Sequence, residues 1–276
     1  MENPAATLET AIQTYEAGNL RLAEILCHQV LDREPDDLDA LCLLGVVSHK
    51  LQQANQKISE AIAKDPGLGY HHWYYNHAVW DRTSWLGIKV WKSVSDMWNY
   101  QEIIFDLKPS LIVEFGTFCG GSALFFSSIL QSVGNPYKVL SVDISHDNLD
   151  PKAKLDENVE FMLESSAAQK TAQRVAALRA EFPGTVFAIL DSDHSKQHVL
   201  AEMLLLKPLL QPGDYLVVED SNINGHPVLP GWGDGPYEAI QEYFEHFPND
   251  YEPDREREKK FGFTFAEAGF LVRIAS

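Results

Sequence analysis

Positive charge is scarce in this chain. Twenty-two Lys and Arg stand against 40 Asp and Glu over 276 residues, a formal net charge of -18. Such a surface repels phosphate backbones and anionic lipid, which argues against nucleic acid or a membrane surface as partner. Cysteine is scarce too. Cys27, Cys42 and Cys119 are too few and too scattered for a disulfide framework or a zinc site, and they fit a reducing, cytoplasmic setting. Cys119 has no activating base beside it in sequence and reads as a small loop residue. No apolar run approaches the roughly 20 residues that span a bilayer. The first residues show no basic-then-apolar signal. A GxSxG elbow is absent, which counts against a hydrolase on an α/β sheet.

What remains is a hydrophobic fraction of 45%, enough for a sizeable core, and a length that holds one α/β domain plus a small appendage. Residues 1–67 read as helical. Ala23 and Pro35 recur as Ala54 and Pro66, both at a shift of 31. The pattern resembles two tetratricopeptide (TPR) repeats, whose usual period is about 34 residues. The second unit is expected to be shortened at an inner turn near Gln52-Gln53. Two repeats bury little surface alone, so they should pack on the next domain, another subunit or a protein partner. Residues 68–100 carry Tyr70, His71, His72, Trp73, Tyr74, Tyr75, Trp80, Trp85, Trp91, Trp98 and Tyr100. So aromatic a connector must be ordered, as a cover over a site, as packing between domains or as the surface of a homo-oligomer.

Residues 101–276 alternate. Strand-like runs fall at 111–115, 139–144, 159–163, 186–191 and 214–219, with helical stretches at 170–182 and 197–210 between several of them. This implies an α/β fold with a mostly parallel sheet covered on both faces. The runs 261–265 and 270–274 read as a closing antiparallel hairpin.

Ligands of such sheets bind beyond the carboxyl ends of the strands. The first strand runs into Glu114-Phe115-Gly116-Thr117-Phe118-Cys119-Gly120-Gly121-Ser122. Glycines there allow close backbone approach, and the following helix offers free N–H groups. The second strand ends at Asp143, whose two oxygens can accept from both hydroxyls of a ribose. Glu164-Ser165-Ser166 follow the third and could meet an adenine edge. The fourth ends in Asp191-Ser192-Asp193-His194-Ser195 and the fifth in Glu219-Asp220-Ser221-Asn222. Asp191, Asp193, Glu219 and Asp220 converging at one edge would repel strongly unless a cation neutralised them. Hard oxygen donors suit Mg²⁺, or Mn²⁺ or Ca²⁺. His226, on the expected loop Asn224-Gly225-His226-Pro227, stays a candidate with His194 for moving a proton.

The glycine loop with Glu114 resembles motif I of Class I S-adenosylmethionine (SAM) methyltransferases. The acid spacing resembles that of metal-dependent catechol-type O-methyltransferases: Asp191 to Glu219 is 28 residues and Asp193 to Glu219 is 26. Together with Thr83–Ile88, Leu107–Ser122, Leu190–Ser195 and Val217–His226, the chain from about residue 78 resembles the cephalosporin hydroxylase/rhamnosyl O-methyltransferase family. The resemblance implies a Rossmann-like methyltransferase with a seven-stranded, mostly parallel sheet. It also implies SAM and Mg²⁺ (or Mn²⁺) as cofactors and a small-molecule hydroxyl as acceptor, on a sugar, a natural product or a phenol. Glu114, Gly116, Thr117, Gly120, Ser122, Asp143, Ser165 and Asp191 would hold the donor. Asp191, Asp193, Glu219 and Asp220 would hold the metal. Asp191, Asp193, His194 or His226 would take the proton. The family favours Asp193 as metal ligand and the catechol-type spacing favours Asp191; sequence leaves both open. The loop Asn222–Pro236, with Trp232 and Tyr237, would shape the acceptor pocket. Oxygen chemistry has no support, since no His-His-carboxylate triad and no haem or flavin motif is present. A noncatalytic TPR-containing adaptor is the alternative, and the intact Glu114, Asp143 and acid clusters count against it.

Overall fold

Small side chains and helix formers shape the start of the chain. The computed structural model describes residues 4–62, 64 and 66–275. Residues 1–3, 63, 65 and 276, at the edges of the expected helical segment and last domain, lie outside the described residues, as do the side chains of 62 and 66. Helix α1 (Pro4–Glu16) turns at Gly18 into α2 (Leu20–Leu31), where Asn19 caps the first turn by accepting from the Leu22 N–H. Ala23, with Val47 and Leu51, forms a small core closed by Tyr15, Leu20 and Leu43. Helix α3 (Leu38–Ile62) is 25 residues long and continuous. It passes straight through Gln52-Gln53, where two repeats would need a turn. The stretch from Leu51 to Lys57 holds no Gly or Pro and is rich in Leu, Gln, Ala and Lys, so nothing stops the helix. Helix α4 (Pro66–Asn76) follows.

A two-residue-strand hairpin, β1 (Ser84–Trp85) and β2 (Ile88–Lys89), leads to α5 (Val94–Leu107). Then the alternation expected from sequence sets in. It runs β3 (Leu111–Phe115), α6 (Gly121–Val133), β4 (Lys138–Asp143), β5 (Val159–Leu163), α7 (Gln169–Glu181) and β6 (Val186–Leu190). After these come α8 (Lys196–Leu206), β7 (Tyr215–Val218), α9 (Pro236–His246), β8 (Tyr251–Pro253), α10 (Arg255–Lys259) and β9 (Phe270–Arg273). The seven strands β3 to β9 form one sheet in the order β5-β4-β3-β6-β7-β9-β8. The first five are parallel; β9 runs antiparallel to both β7 and β8. The architecture is the expected Rossmann-like α/β fold with a seven-stranded, mostly parallel sheet.

The two faces are legible in the strand alternation. Leu111, Val113 and Phe115 join one core with Val175, Val199 and Ile240 of α7, α8 and α9. Ile112, Phe187, Ile189 and Val217 join the other with Tyr100 and Ile104 of α5 and Phe126 of α6. Among the described residues no helix is long and apolar enough to cross a membrane.

The closing hairpin differs from expectation. The run 261–265 is not a strand; its place beside β9 is taken by β8. The Phe265 N–H and the Thr264 hydroxyl donate to the buried Asp96 carboxylate of α5, at 2.8 and 2.7 Å. Phe263 and Phe265 turn their rings onto His71 and Tyr74 of α4. Side-chain partners thus replace ladder partners.

Gly116 is where β3 must clear β6. Its φ is +100, and a Cβ there would lie 1.8 Å from the Asp191 carbonyl oxygen. Gly116→Ala should therefore destabilise the fold by about 3 kcal/mol or more. Thermal melting checks this, and an unchanged Tm would contradict it.

Candidate active site

Three carboxylates meet because strands alternate. Glu114 lies two residues beyond Ile112 on β3 and shares its face. Asp191 stands in the same relation to Ile189 on β6, and Glu219 to Val217 on β7. These strands are neighbours, and the ladder continues past them: the Asp191 N–H donates to Phe115 O and the Glu219 N–H to Leu190 O. All three acids therefore point toward the α5/α6 side, at the carboxyl edge of the sheet.

Lys92 fills the space between them. It comes from the segment joining β2 to α5 and is 1% exposed. Its Nζ donates to Asp191 Oδ2 at 2.5 Å and to Glu219 Oε1 at 2.6 Å, and lies 3.9 Å from Glu114 Oε1. Burial works against its charge, but Asp191, Glu219 and Glu114 outweigh that and raise its pKa. One lysine does not satisfy all the acids. Burial drives Glu219 well above the ordinary carboxylate range and Glu114 up to about 7, despite the opposing pull of Lys92.

Asp220 turns the other way. Its φ of +52 is left-handed backbone, uncommon for a residue with a Cβ. The carboxylate joins Asp191 and His194, and ligand atoms of all three lie within 4.8 Å of one another. His194 Nε2 is 3.3 Å from Asp220 Oδ2. Burial raises the Asp220 pKa and Asp191 adds to it, while His194 and Lys92 pull it down. Asp191 and Asp220, carrying negative charge that Lys92 leaves uncompensated, are hard oxygen donors that fit a divalent cation, with the His194 imidazole beside them.

This cluster opens into a cavity of about 730 Å³. The cavity also reaches Gly116, Thr117, Ser122, Asp143 and Ser165, and Asp193 lies on its wall. Trp80, Trp91, Phe118 and Trp232 supply aromatic faces, with Trp91 stacked on Phe118 at 3.9 Å between centroids. Asp143 Oδ2 accepts from the Thr117 and Phe118 N–H groups and Oδ1 from the Ser145 N–H, so it also fixes the glycine loop.

Four expected residues stand apart from the cavity. Glu114 lies beneath it, accepting from the Ser141 hydroxyl at 2.7 Å; Ser141 in turn meets the Thr117 hydroxyl. Gly120 faces Leu149 and Ala153, a packing role. Glu219 is 3% exposed and engaged by Lys92. His226 lines a separate small pocket, bonded to Glu238 and stacked on Tyr237, so Tyr237 also faces away from the main cavity. Asp193 is outside the three-residue cluster, with Oδ1 accepting from the Ser195 N–H. Sequence reasoning missed Lys92. The sequence signal is local only: a lysine set directly after Val90-Trp91, with nothing nearby to name its partners.

Known proteins share much of this sequence and its fold. The family model Rhamnosyl O-methyltransferase/CmcI matches residues 77–274. The Rhamnosyl O-methyltransferase of Mycobacterium tuberculosis (strain ATCC 25618 / H37Rv) is 56% identical over 231 residues, covering 84% of this chain and 93% of the relative. That of Mycobacterium leprae (strain TN) is 61% identical over 204 residues, covering 74% of this chain and 89% of the relative. Among solved structures, an apo form of CmcI is 21% identical with a TM-score of 0.58, over 71% of this chain and 78% of that one. A Mg-SAM form of CmcI is 22% identical with a TM-score of 0.57 and the same coverage. The structural likeness is one of fold.

Removing the buried lysine leaves carboxylates without their counter-ion. Lys92→Met should cost about 3–5 kcal/mol of stability, measured by denaturant unfolding, and an unchanged midpoint would contradict the bridge. Glu114, which holds its proton up to about 7, makes a second prediction. Between its unfolded and folded pKa the folded state binds the extra proton, so this group's contribution falls as pH rises. Glu114→Gln removes that fall. Its Tm relative to wild type should be more favourable at about pH 8 than at about pH 5. A pH-independent difference would contradict it.

Proposed function

The chain belongs to the Rhamnosyl O-methyltransferase/CmcI family and is a SAM-dependent O-methyltransferase, and from that premise we propose that its acceptor is a deoxysugar hydroxyl, aligned by Mg²⁺ or Mn²⁺ on Asp191 and Asp220. One observation carries this reading. The Asp191–His194–Asp220 cluster opens into the same cavity as Thr117, Asp143 and Ser165, so donor and acceptor share one chamber. The relatives' name supports a rhamnosyl group as the acceptor's sugar. The tryptophans of the cavity supply flat faces for the C–H side of such a ring.

When bound, SAM supplies an electrophilic methyl group and the divalent ion orients and acidifies a hydroxyl. The chain's own groups do the rest. Thr117, Ser122 and Ser165 line the cavity and would border the donor. Asp143 receives three backbone N–H groups and, with about four acceptor positions on a carboxylate, keeps capacity for a ribose hydroxyl. Lys92 holds Asp191 in one orientation. His194, whose Nε2 lies 3.3 Å from Asp220 Oδ2 at the cavity wall, takes the acceptor proton. A hydroxylating role is not favoured.

The reading extends to setting and assembly. Free Cys27, Cys42 and Cys119 support a cytoplasmic setting. A sugar carried on a larger natural product would suit the open chamber. Exposed Ile12, Leu22, Ile25 and Leu41 on the helical segment favour a protein partner there as a second reading. Self-association is supported by α5, where Val94, Trp98 and Phe105 lie on one face and are 53%, 58% and 63% exposed.

Three measurements test this. Methyl transfer to methyl α-L-rhamnopyranoside should stop in EDTA and return with Mg²⁺ or Mn²⁺; undiminished turnover in EDTA would contradict the ion. His194→Ala should slow turnover about 100-fold or more while calorimetry still shows S-adenosylhomocysteine (SAH) binding; unchanged turnover would remove His194 as the base. Light scattering should report a mass above the monomer's, lowered by Trp98→Asp; a monomer at micromolar concentration would contradict self-association.

A further inference from the structure

The start of α2 meets the wall of the acceptor chamber at the tip of loop 222–236. Loop 222–236 contributes two side chains to the cavity, Ile223 and Trp232. The base of this loop is held from within. Glu238 accepts from the Gly235 N–H at 2.7 Å and the Asn224 amide at 3.0 Å, and pairs with His226 at 2.8 Å. The tip is held from outside. The Arg21 N–H, at the start of α2, donates to the Gly231 carbonyl at 3.1 Å.

The glycines on either side of Trp232 give the closeness of this contact. A Cβ on Gly231 would lie 2.8 Å from Leu20 Cβ, and one on Gly233 would lie 3.3 Å from Asn19 Cβ. Both glycines have positive φ, +78 and +108, so the tip is bent as well as close. Leu20 itself packs on the small core of Ala23, Val47 and Leu51. The segment that meets the tip lies before residue 77, where the family match begins.

We propose that Leu20, with the first turn of α2, is a positioning element for Trp232, and that the N-terminal helices thereby select the acceptor. This rests on the deoxysugar reading for its substrate, but not for its geometry. The helices hold the tip from one side; Trp232 presents its ring to the chamber from the other. A sugar seated against that ring is aligned only as well as the tip is fixed, because misplacement of reacting atoms by even an ångström is costly. The donor half of the chamber, at Thr117, Asp143 and Ser165, receives nothing from α2 and is indifferent to it.

The test pairs Leu20→Ala with Leu43→Ala. Both trim the same small core, but the loop-tip contacts come from residues 19 to 21. Leu20→Ala should raise KM for methyl α-L-rhamnopyranoside about tenfold, leave SAH binding within about twofold, and increase acrylamide quenching of the Trp232 fluorescence. The Trp232 signal is taken as the difference from Trp232→Phe. Leu43→Ala should lower Tm comparably and change neither KM nor quenching. SAH binding shows that each variant is folded. Equal KM in Leu20→Ala and wild type, or an equal rise in Leu43→Ala, overturns the proposal. A wild type that does not methylate the rhamnoside overturns the deoxysugar reading instead, and the quenching difference between Leu20→Ala and Leu43→Ala then decides the positioning role.

Discussion

The site depends on one buried ammonium group. Three parallel strands end in acids that face the same side, and without Lys92 they would repel one another inside the sheet's edge. With it, Asp191 and Glu219 are bridged at 2.5 and 2.6 Å and Glu114 is near enough to feel the charge. The lysine is the internal cation that the acid count demands. It also divides the acids by task. Glu219 and Glu114 are turned inward to structure, while Asp191 and Asp220 remain at the cavity with His194. Glu114 continues the connection through Ser141 to Thr117, so the glycine loop and the acid cluster share one buried polar chain.

Breaking such a bridge is costlier than its net worth, because each partner left behind is a charge out of water. The arrangement also explains why a single lysine does not complete the site. Burial raises the Asp220 pKa despite His194 and Lys92, so its ionised form is incompletely compensated and a cation bound there would stabilise it. The internal lysine and a bound ion would therefore share Asp191 but not compete for Glu219.

Much of this was legible in the sequence because strand periodicity is a local property. The five parallel strands fall within a residue or so of their expected places, and both acid clusters emerge at the ligand edge. Two of the misses share a cause: a partner distant in sequence. Lys92 is 99 residues from Asp191 and 127 from Glu219, so no spacing pattern reveals the pair. The run 261–265 is apolar and alternating enough for a strand, but Asp96 claims its backbone and α4 claims its rings. The turn expected at Gln52-Gln53 fails for the opposite reason: the repeat pattern suggests it, while the local residues favour uninterrupted helix. His226 looked poised for chemistry from its loop, yet Glu238 and Tyr237 hold it in a separate pocket.

The account turns on which acids face the ion and which face the lysine. Anomalous diffraction from crystals soaked in Mn²⁺ and SAH tests that division most directly. A Mn²⁺ peak ligated by Asp191 and Asp220, with Lys92 still between Asp191 and Glu219, is the predicted result. A peak ligated by Glu219, with Lys92 displaced from it, would contradict the account.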